Sequence, residues 1–143
     1  MKALFNKLKT LAFRWYYRRM NRLAWEPHPL PDLHAGSIQL ALGDVTLSAR
    51  MYHGLPNRPL IIYFHGGGWV IGDLETHHPF CMHLAHATQS TVMSIDYRLA
   101  PEHPFPAAHD DAMAAAQWII DHLNALPPNN GEVVLAGDSA GGN

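Results

Sequence analysis

Ser139 stands between Gly137 and Gly141 in the run Gly137-Asp138-Ser139-Ala140-Gly141-Gly142, and a serine flanked in this way has a specific chemical use. The pattern G-x-S-x-G bends a strand sharply into a helix and lifts the serine hydroxyl above the edge of a sheet. Glycine is needed on both sides because a side chain there would clash in so tight a turn. A hydroxyl is a poor nucleophile at neutral pH unless a base takes its proton as it attacks. The attacked carbonyl becomes an oxyanion, for which each preorganised N–H donor is worth roughly 10²–10³ in rate. One donor follows from the motif, the amide of Ala140 just after the nucleophile. Alone the pattern is weak, because a loop rich in glycine and serine produces it without any function.

The elements around the motif make it more specific. Glu132-Val133-Val134-Leu135-Ala136 is β-branched and apolar, and predicts a buried strand running into the turn. Leu60-Ile61-Ile62-Tyr63-Phe64 predicts a second, which leads into His65-Gly66-Gly67-Gly68-Trp69. Glycines let backbone N–H groups aim at one point without side chains blocking the approach. Between the two turns lies Asp96-Tyr97-Arg98-Leu99-Ala100-Pro101-Glu102-His103-Pro104-Phe105-Pro106-Ala107-Ala108.

These three blocks, in this order, closely resemble the hormone-sensitive-lipase-like esterases, the α/β-hydrolase fold-3 group that includes bacterial acetyl esterases and carboxylesterases. The resemblance covers Leu60 to Asn143 and is weak over residues 1–59. It implies an α/β-hydrolase fold, entered here as its N-terminal part through the nucleophile elbow. It also implies a serine carboxylesterase that acts on short to medium acyl esters through an acyl-enzyme on Ser139. By the same resemblance Gly67 and Gly68 look like oxyanion donors alongside Ala140, Gly66 sets the turn, and His65 supports the loop and is not the base. Asp138 is expected to order the elbow. Trp69 either walls the acyl or alcohol pocket or is plain core. Neither a cofactor nor a metal is implied.

In this fold the catalytic triad runs serine, then Asp or Glu, then His along the chain. Four residues follow Ser139, none of them acidic or histidine. The chain therefore reads as the N-terminal part of a protein roughly twice as long. It is expected to be inactive by itself, with the far edge of its last strand unpaired and apolar. A second reading is a hydrolase-like small-molecule binding protein without catalysis, as the plant gibberellin receptors resemble this family.

The remaining elements follow from pattern. Residues 36–42 and 45–53 predict a hairpin turning at Gly43-Asp44. Its second strand alternates, with Val45, Leu47, Ala49 and Met51 on one face and Thr46, Ser48, Arg50 and Tyr52 on the other. Thr76 is expected to cap a helix with Pro79 in its first turn. A strand over 91–95 follows, then a helix from about Pro106 packed through Ala108, Ala112, Ala116, Ile119 and Leu123, ending before Pro127-Pro128. Alternating strands and helices predict a parallel sheet with helices on both faces. Two regions result: residues 1–35, a basic helical cap segment with a proline-rich linker (Pro27, Pro29, Pro31), and residues 36–143, the first half of a hydrolase domain.

Composition narrows the function classes. A chain 48% hydrophobic and 15% charged, with formal net charge −2, is globular and gives no sign of nucleic-acid binding. A single cysteine, Cys81, rules out an internal disulfide and fits the cytoplasm. Seven of the ten Lys and Arg residues fall in the first 22 positions. There Leu4, Leu8, Leu11 and Trp15, with Phe5, Ala12 and Tyr16 beside them, line one arc opposite Lys2, Lys7, Lys9 and Arg14. Charges interrupt this stretch too often for a signal peptide. The family resemblance implies that it packs over the mouth of the site, with weak membrane-surface contact as a second reading. The partner is a small ester substrate, and a homo-oligomer is compatible with the sequence.

Three further patterns need testing. His77, His78, His83 and His86 invite a metal, although no carboxylate completes the set. Gly66-x-Gly68, Gly72 and Asp96 imitate a dinucleotide fingerprint, with Gly72 one residue late. Arg98 and Glu102 are expected to pair or to brace the proline-rich loop.

Overall fold

The computed structural model describes residues 2–26, 28–127 and 129–143, with side chains from Asn6 onward. Pro27, Pro128 and the arc positions Lys2, Leu4 and Phe5 therefore lie outside the described side chains. The chain runs α1 (Lys2–Trp25), β1 (Ala35–Leu42), β2 (Val45–Tyr52), β3 (Leu60–Phe64), α2 (His78–Thr88), β4 (Thr91–Ile95), α3 (Ala107–Asp121) and β5 (Val133–Gly137).

The sheet has the order β1-β2-β4-β3-β5. β3 pairs in parallel with both β4 and β5, as the alternating pattern predicts. The hairpin departs from it. β1 and β2 pair antiparallel around the two-residue turn, and β2 then pairs antiparallel with β4, so the sheet is mixed.

Every residue of β3 and β4 is buried, as parallel strands covered on both faces must be. Period-two alternation divides β3 between two cores. Leu60, Ile62 and Phe64 join Met93, Ile95, Ala115 and Ile119 beneath α3. Ile61 and Tyr63 join Val92, Cys81, Met82 and Ala85 beneath α2. Burial pushes the Cys81 thiol up to about 12, so it serves as a small apolar side chain and not as a nucleophile.

On β2, Leu47 and Ala49 are buried toward α3 as the alternation implies. Tyr52 is fully buried on the face expected to be polar. The end of β2 lies under α2, where the Tyr52 hydroxyl meets Nδ1 of His78 at 3.1 Å.

Helix α2 begins one residue later than Thr76 would make it. His77 occupies the cap position with no side-chain cap bond, and Pro79 lies in the first turn. The Thr76 hydroxyl is committed to Asp73, accepting its N–H at 2.9 Å and donating to its carbonyl at 3.0 Å.

Helix α1 does not bury its apolar arc. Leu8, Leu11 and Trp15 are 56%, 47% and 65% exposed. The half-buried positions are Thr10, Arg14, Tyr17, Asn21 and Trp25, a polar and aromatic stripe at helical spacing. Arg14 donates to the carbonyls of Val70 (2.8 Å) and Ala100 (2.9 Å) and pairs with Glu102 at 2.9 Å. Arg18 pairs with Asp73, and Trp25 stacks on His83. α1 thus lies across the loops that leave β3 and β4. Among the described residues no helix is long and apolar enough to cross a membrane.

Candidate active site

β5 ends at Gly137, and the chain turns at once into a single 3-10 turn, Ser139–Gly142. Ser139 is held at φ +51°, a left-handed conformation that a residue with a Cβ adopts only under constraint. The constraint is close packing on the end of β3. A Cβ on Gly141 would lie 2.0 Å from the Phe64 carbonyl oxygen. The Gly141 amide closes the turn onto the Asp138 carbonyl at 2.8 Å. The sharp strand-to-helix turn expected at Ser139 is therefore present.

The glycine loop after β3 is fixed one peptide plane at a time. A trans peptide points its C=O and N–H in opposite directions, so anchoring one end aims the other. The His65 carbonyl accepts the Tyr97 hydroxyl, and the Gly66 N–H on the far side of that plane donates to Asp138 Oδ1 at 2.7 Å. The Gly66 carbonyl lies 2.8 Å from His65 Nδ1. A carbonyl only accepts, so Nδ1 carries the proton, and the Gly67 N–H points the other way. The Gly67 carbonyl accepts from Val70 (3.1 Å) and Ile71 (3.0 Å), which leaves the Gly68 N–H opposite. The amides of Gly67, Gly68 and Ala140 donate to no backbone or side-chain acceptor among the described residues. Gly67 sits at φ +127°, and a Cβ there would lie 2.1 Å from the Ile71 carbonyl oxygen.

His65 is fully buried, stacked on Tyr97 at 4.3 Å and on His77 at 5.3 Å. Burial holds its pKa below the usual imidazole value, against the opposing effect of the bond to Gly66. It has no hydrogen bond to Ser139.

Asp138 does more than order the elbow. Its Oδ1 takes both the Gly66 N–H and the Tyr63 hydroxyl. Burial pulls this carboxyl upward, but the bonds from Tyr63 and Gly66 outweigh it and hold it below its ordinary value. The carboxylate is therefore charged throughout the neutral range. The Tyr63 hydroxyl is pushed well above its ordinary value by burial and by Asp138, so it stays a donor.

Tyr63 and Tyr97 are not singled out as site residues by the sequence, and His77 is picked out only within the histidine set that invites a metal. Tyr63 is read as one of five buried strand residues. The available signal is its hydroxyl at the last α2-facing position before the glycines, where an apolar side chain would have served packing alone.

Other expectations are corrected. Arg98 does not pair with Glu102. It forms a two-pronged pair with Asp111 of α3, at 2.7 and 2.9 Å, while Glu102 belongs to Arg14. Asp111 is only 3% exposed, and a charge at that depth requires such a partner. Trp69 is not plain core. It is 44% exposed, and with Gly68, Tyr97, Met113 and Ala140 it lines an apolar cavity of about 910 Å³.

The four histidines diverge. His77 faces Asp138 and Thr76, His78 faces Tyr52, His83 stacks on Trp25, and His86 is exposed. No group of three metal-ligating side chains converges among the described residues. The dinucleotide pattern fails on geometry, because the glycine loop does not open a helix. α2 starts only at His78, after the intervening 69–77 turn, so no helix N-terminus faces the place a pyrophosphate would take.

Comparison with known proteins identifies the family and the fold. The profile of the α/β-hydrolase fold family matches residues 61–143. The chain is 40% identical over 129 residues to the carboxylesterase NlhH of Mycobacterium tuberculosis, covering 87% of this chain and 40% of the relative. It is 43% identical over 130 residues to the carboxylic ester hydrolase LipN of the same organism, covering 85% and 34%. Among solved structures, the hyperthermophilic esterase from the archaeon Pyrobaculum calidifontis superposes with a TM-score of 0.85 at 36% identity, over 92% of this chain and 43% of that one. The chain thus spans less than half the length of each of these three proteins.

Proposed function

The chain belongs to the α/β-hydrolase fold family, in the group of the hormone-sensitive-lipase-like esterases, and from that membership we propose that it forms the nucleophile-bearing part of a serine carboxylesterase. The observation that carries the reading is the joint geometry of the elbow and the glycine loop. Ser139 is held in a left-handed turn beside a loop whose Gly67 and Gly68 amides have no internal acceptor among the described residues.

In the proposed reaction Ser139 Oγ attacks the ester carbonyl and its proton passes to a base. The tetrahedral oxyanion accepts hydrogen bonds from Gly67, Gly68 and Ala140. Collapse expels the alcohol, protonated by the same base, and leaves an acyl group on Ser139. Water then repeats the sequence and releases the acid. His65 turns the Gly66–Gly67 peptide so that its N–H faces outward, and Gly66 provides the backbone space for the turn. Asp138 ties the loop to the elbow, and Trp69 walls the site. The base and its orienting acid are contributed after the elbow, in the order this fold uses. Substrates are esters of short to medium acyl chains, and α1 acts as the cap.

Hydrolysis of p-nitrophenyl acetate and butyrate by the full-length protein tests this. Ser139→Ala is expected to lose nearly all turnover, and retained activity would remove Ser139 as nucleophile. Gly67→Val puts a branched side chain where even a Cβ meets Ile71, so kcat is expected to fall by roughly 10² or more. A folded Gly67→Val variant with unchanged kcat would refute the oxyanion assignment.

A further inference from the structure

We propose that His77 is a positioning residue for the oxyanion hole, acting through Asp138 on the glycine loop. The inference rests on the esterase reading above and assigns a role to a side chain which that reading does not use.

His77 is 7% exposed at the start of α2, and both of its ring nitrogens face polar groups. His77 Nδ1 lies 3.0 Å from the Thr76 hydroxyl, which is itself tied to Asp73. The opposite nitrogen, Nε2, lies 3.6 Å from Asp138 Oδ1. A carboxylate only accepts, so this approach favours the tautomer with its proton on Nε2.

The same Oδ1 holds the Gly66 N–H and the Tyr63 hydroxyl. One oxygen thus joins β3, the glycine loop, the elbow and the start of α2. The Asp138 side chain is half exposed, and water competes for it. His77 is the partner that closes the set on the α2 side. Without it the carboxylate has a route to solvent that takes the Gly66 amide with it. The two planes that aim Gly67 and Gly68 follow directly after that amide, so a loosened Gly66 misaims both donors.

The test uses the full-length protein and two readouts. His77→Leu keeps bulk and removes both polar contacts. It is expected to lower kcat about tenfold, a fraction of a whole donor's worth, with KM changed less than about twofold. It should also speed amide hydrogen exchange at Gly66, whose N–H is held by Asp138. His77→Gln, which returns an N–H near the Nε2 position, is expected to recover most of both. Asp138→Asn keeps the oxygen for Gly66 but removes the charge facing His77, and is expected to shift both readouts in the same direction. It carries the test if His77→Leu does not fold. Because His77 acts through Asp138, the double variant should lose no more than the worse single one.

Unchanged kcat and exchange in a folded variant, a loss confined to KM, or losses that multiply in the double variant would overturn the proposal. Exchange is read without substrate. A failure of the esterase reading, seen as a fully active Ser139→Ala, therefore remains distinct from a failure of this one.

Discussion

Helices α1 and α3 both carry an apolar stripe, and the fold turns the two in opposite directions. In α3, Ala115 and Ile119 are fully buried against β3 and β4. In α1, Leu8, Leu11 and Trp15 face outward, and Arg14 and Arg18 face the body of the protein. The difference lies in what each helix meets. α3 lies on a sheet face of Leu, Ile and Met, where apolar contact is the favourable term. α1 crosses loop ends that present the Val70 and Ala100 carbonyls and the Asp73 and Glu102 carboxylates. Those groups need donors, and a guanidinium supplies five in a fixed fork. Periodicity locates a stripe on a helix, but the surface beneath decides which stripe is used.

The sharpest way to break this comparison is to empty the α3 contact. Ile119→Ala removes a fully buried side chain and is expected to cost about 2–4 kcal/mol in urea unfolding. A cost under about 1 kcal/mol would mean that α3 is not held by its apolar stripe.

Arg14→Ala probes the polar attachment of α1. It removes a partly exposed ion pair and two bonds to carbonyls, and is expected to cost about 1 kcal/mol. Exchange at the amides of α1 should rise more than exchange in the sheet. A cost as large as that of Ile119→Ala would erase the distinction between the two helices.

The smallest effect is expected at Trp15→Ser, within about 0.5 kcal/mol of the parent, because the side chain is 65% exposed. A cost above about 1 kcal/mol would sharpen the picture differently, by showing that the outer face of α1 has a partner.

These contrasts also mark what the sequence makes legible. β3, β4 and the βαβ arrangement follow from short runs such as Leu60–Phe64, whose continuous apolarity is itself the sign of a strand covered on both faces. The turn at Ser139 and the glycine loop are legible because their backbones demand glycine at set positions. The orientation of α1 is not legible, because it depends on carbonyls in loops about 55 to 85 residues away. The partners of Arg98 and Glu102 escape for a similar reason. Each lies within four residues of the other, but Asp111 and Arg14 are brought closer by the fold. The junction of Tyr63, His77 and Asp138 joins three distant segments through one oxygen, and no local pattern announces it.

The attachment of α1 makes salt a mechanical variable for this molecule. Surface charges more than about 10 Å apart are largely screened at 0.1 M salt, and exposed pairs weaken further as salt rises. Arg18 is 60% exposed in its pair with Asp73, whereas Arg14 also holds two backbone carbonyls, which do not depend on its partner's charge. Added salt therefore works on α1 unevenly, slackening the Arg18 tie while the Arg14 tie persists. The helix is a boom with one fixed stay and one that ions can let out, and its swing is measured at the loops beside Ser139.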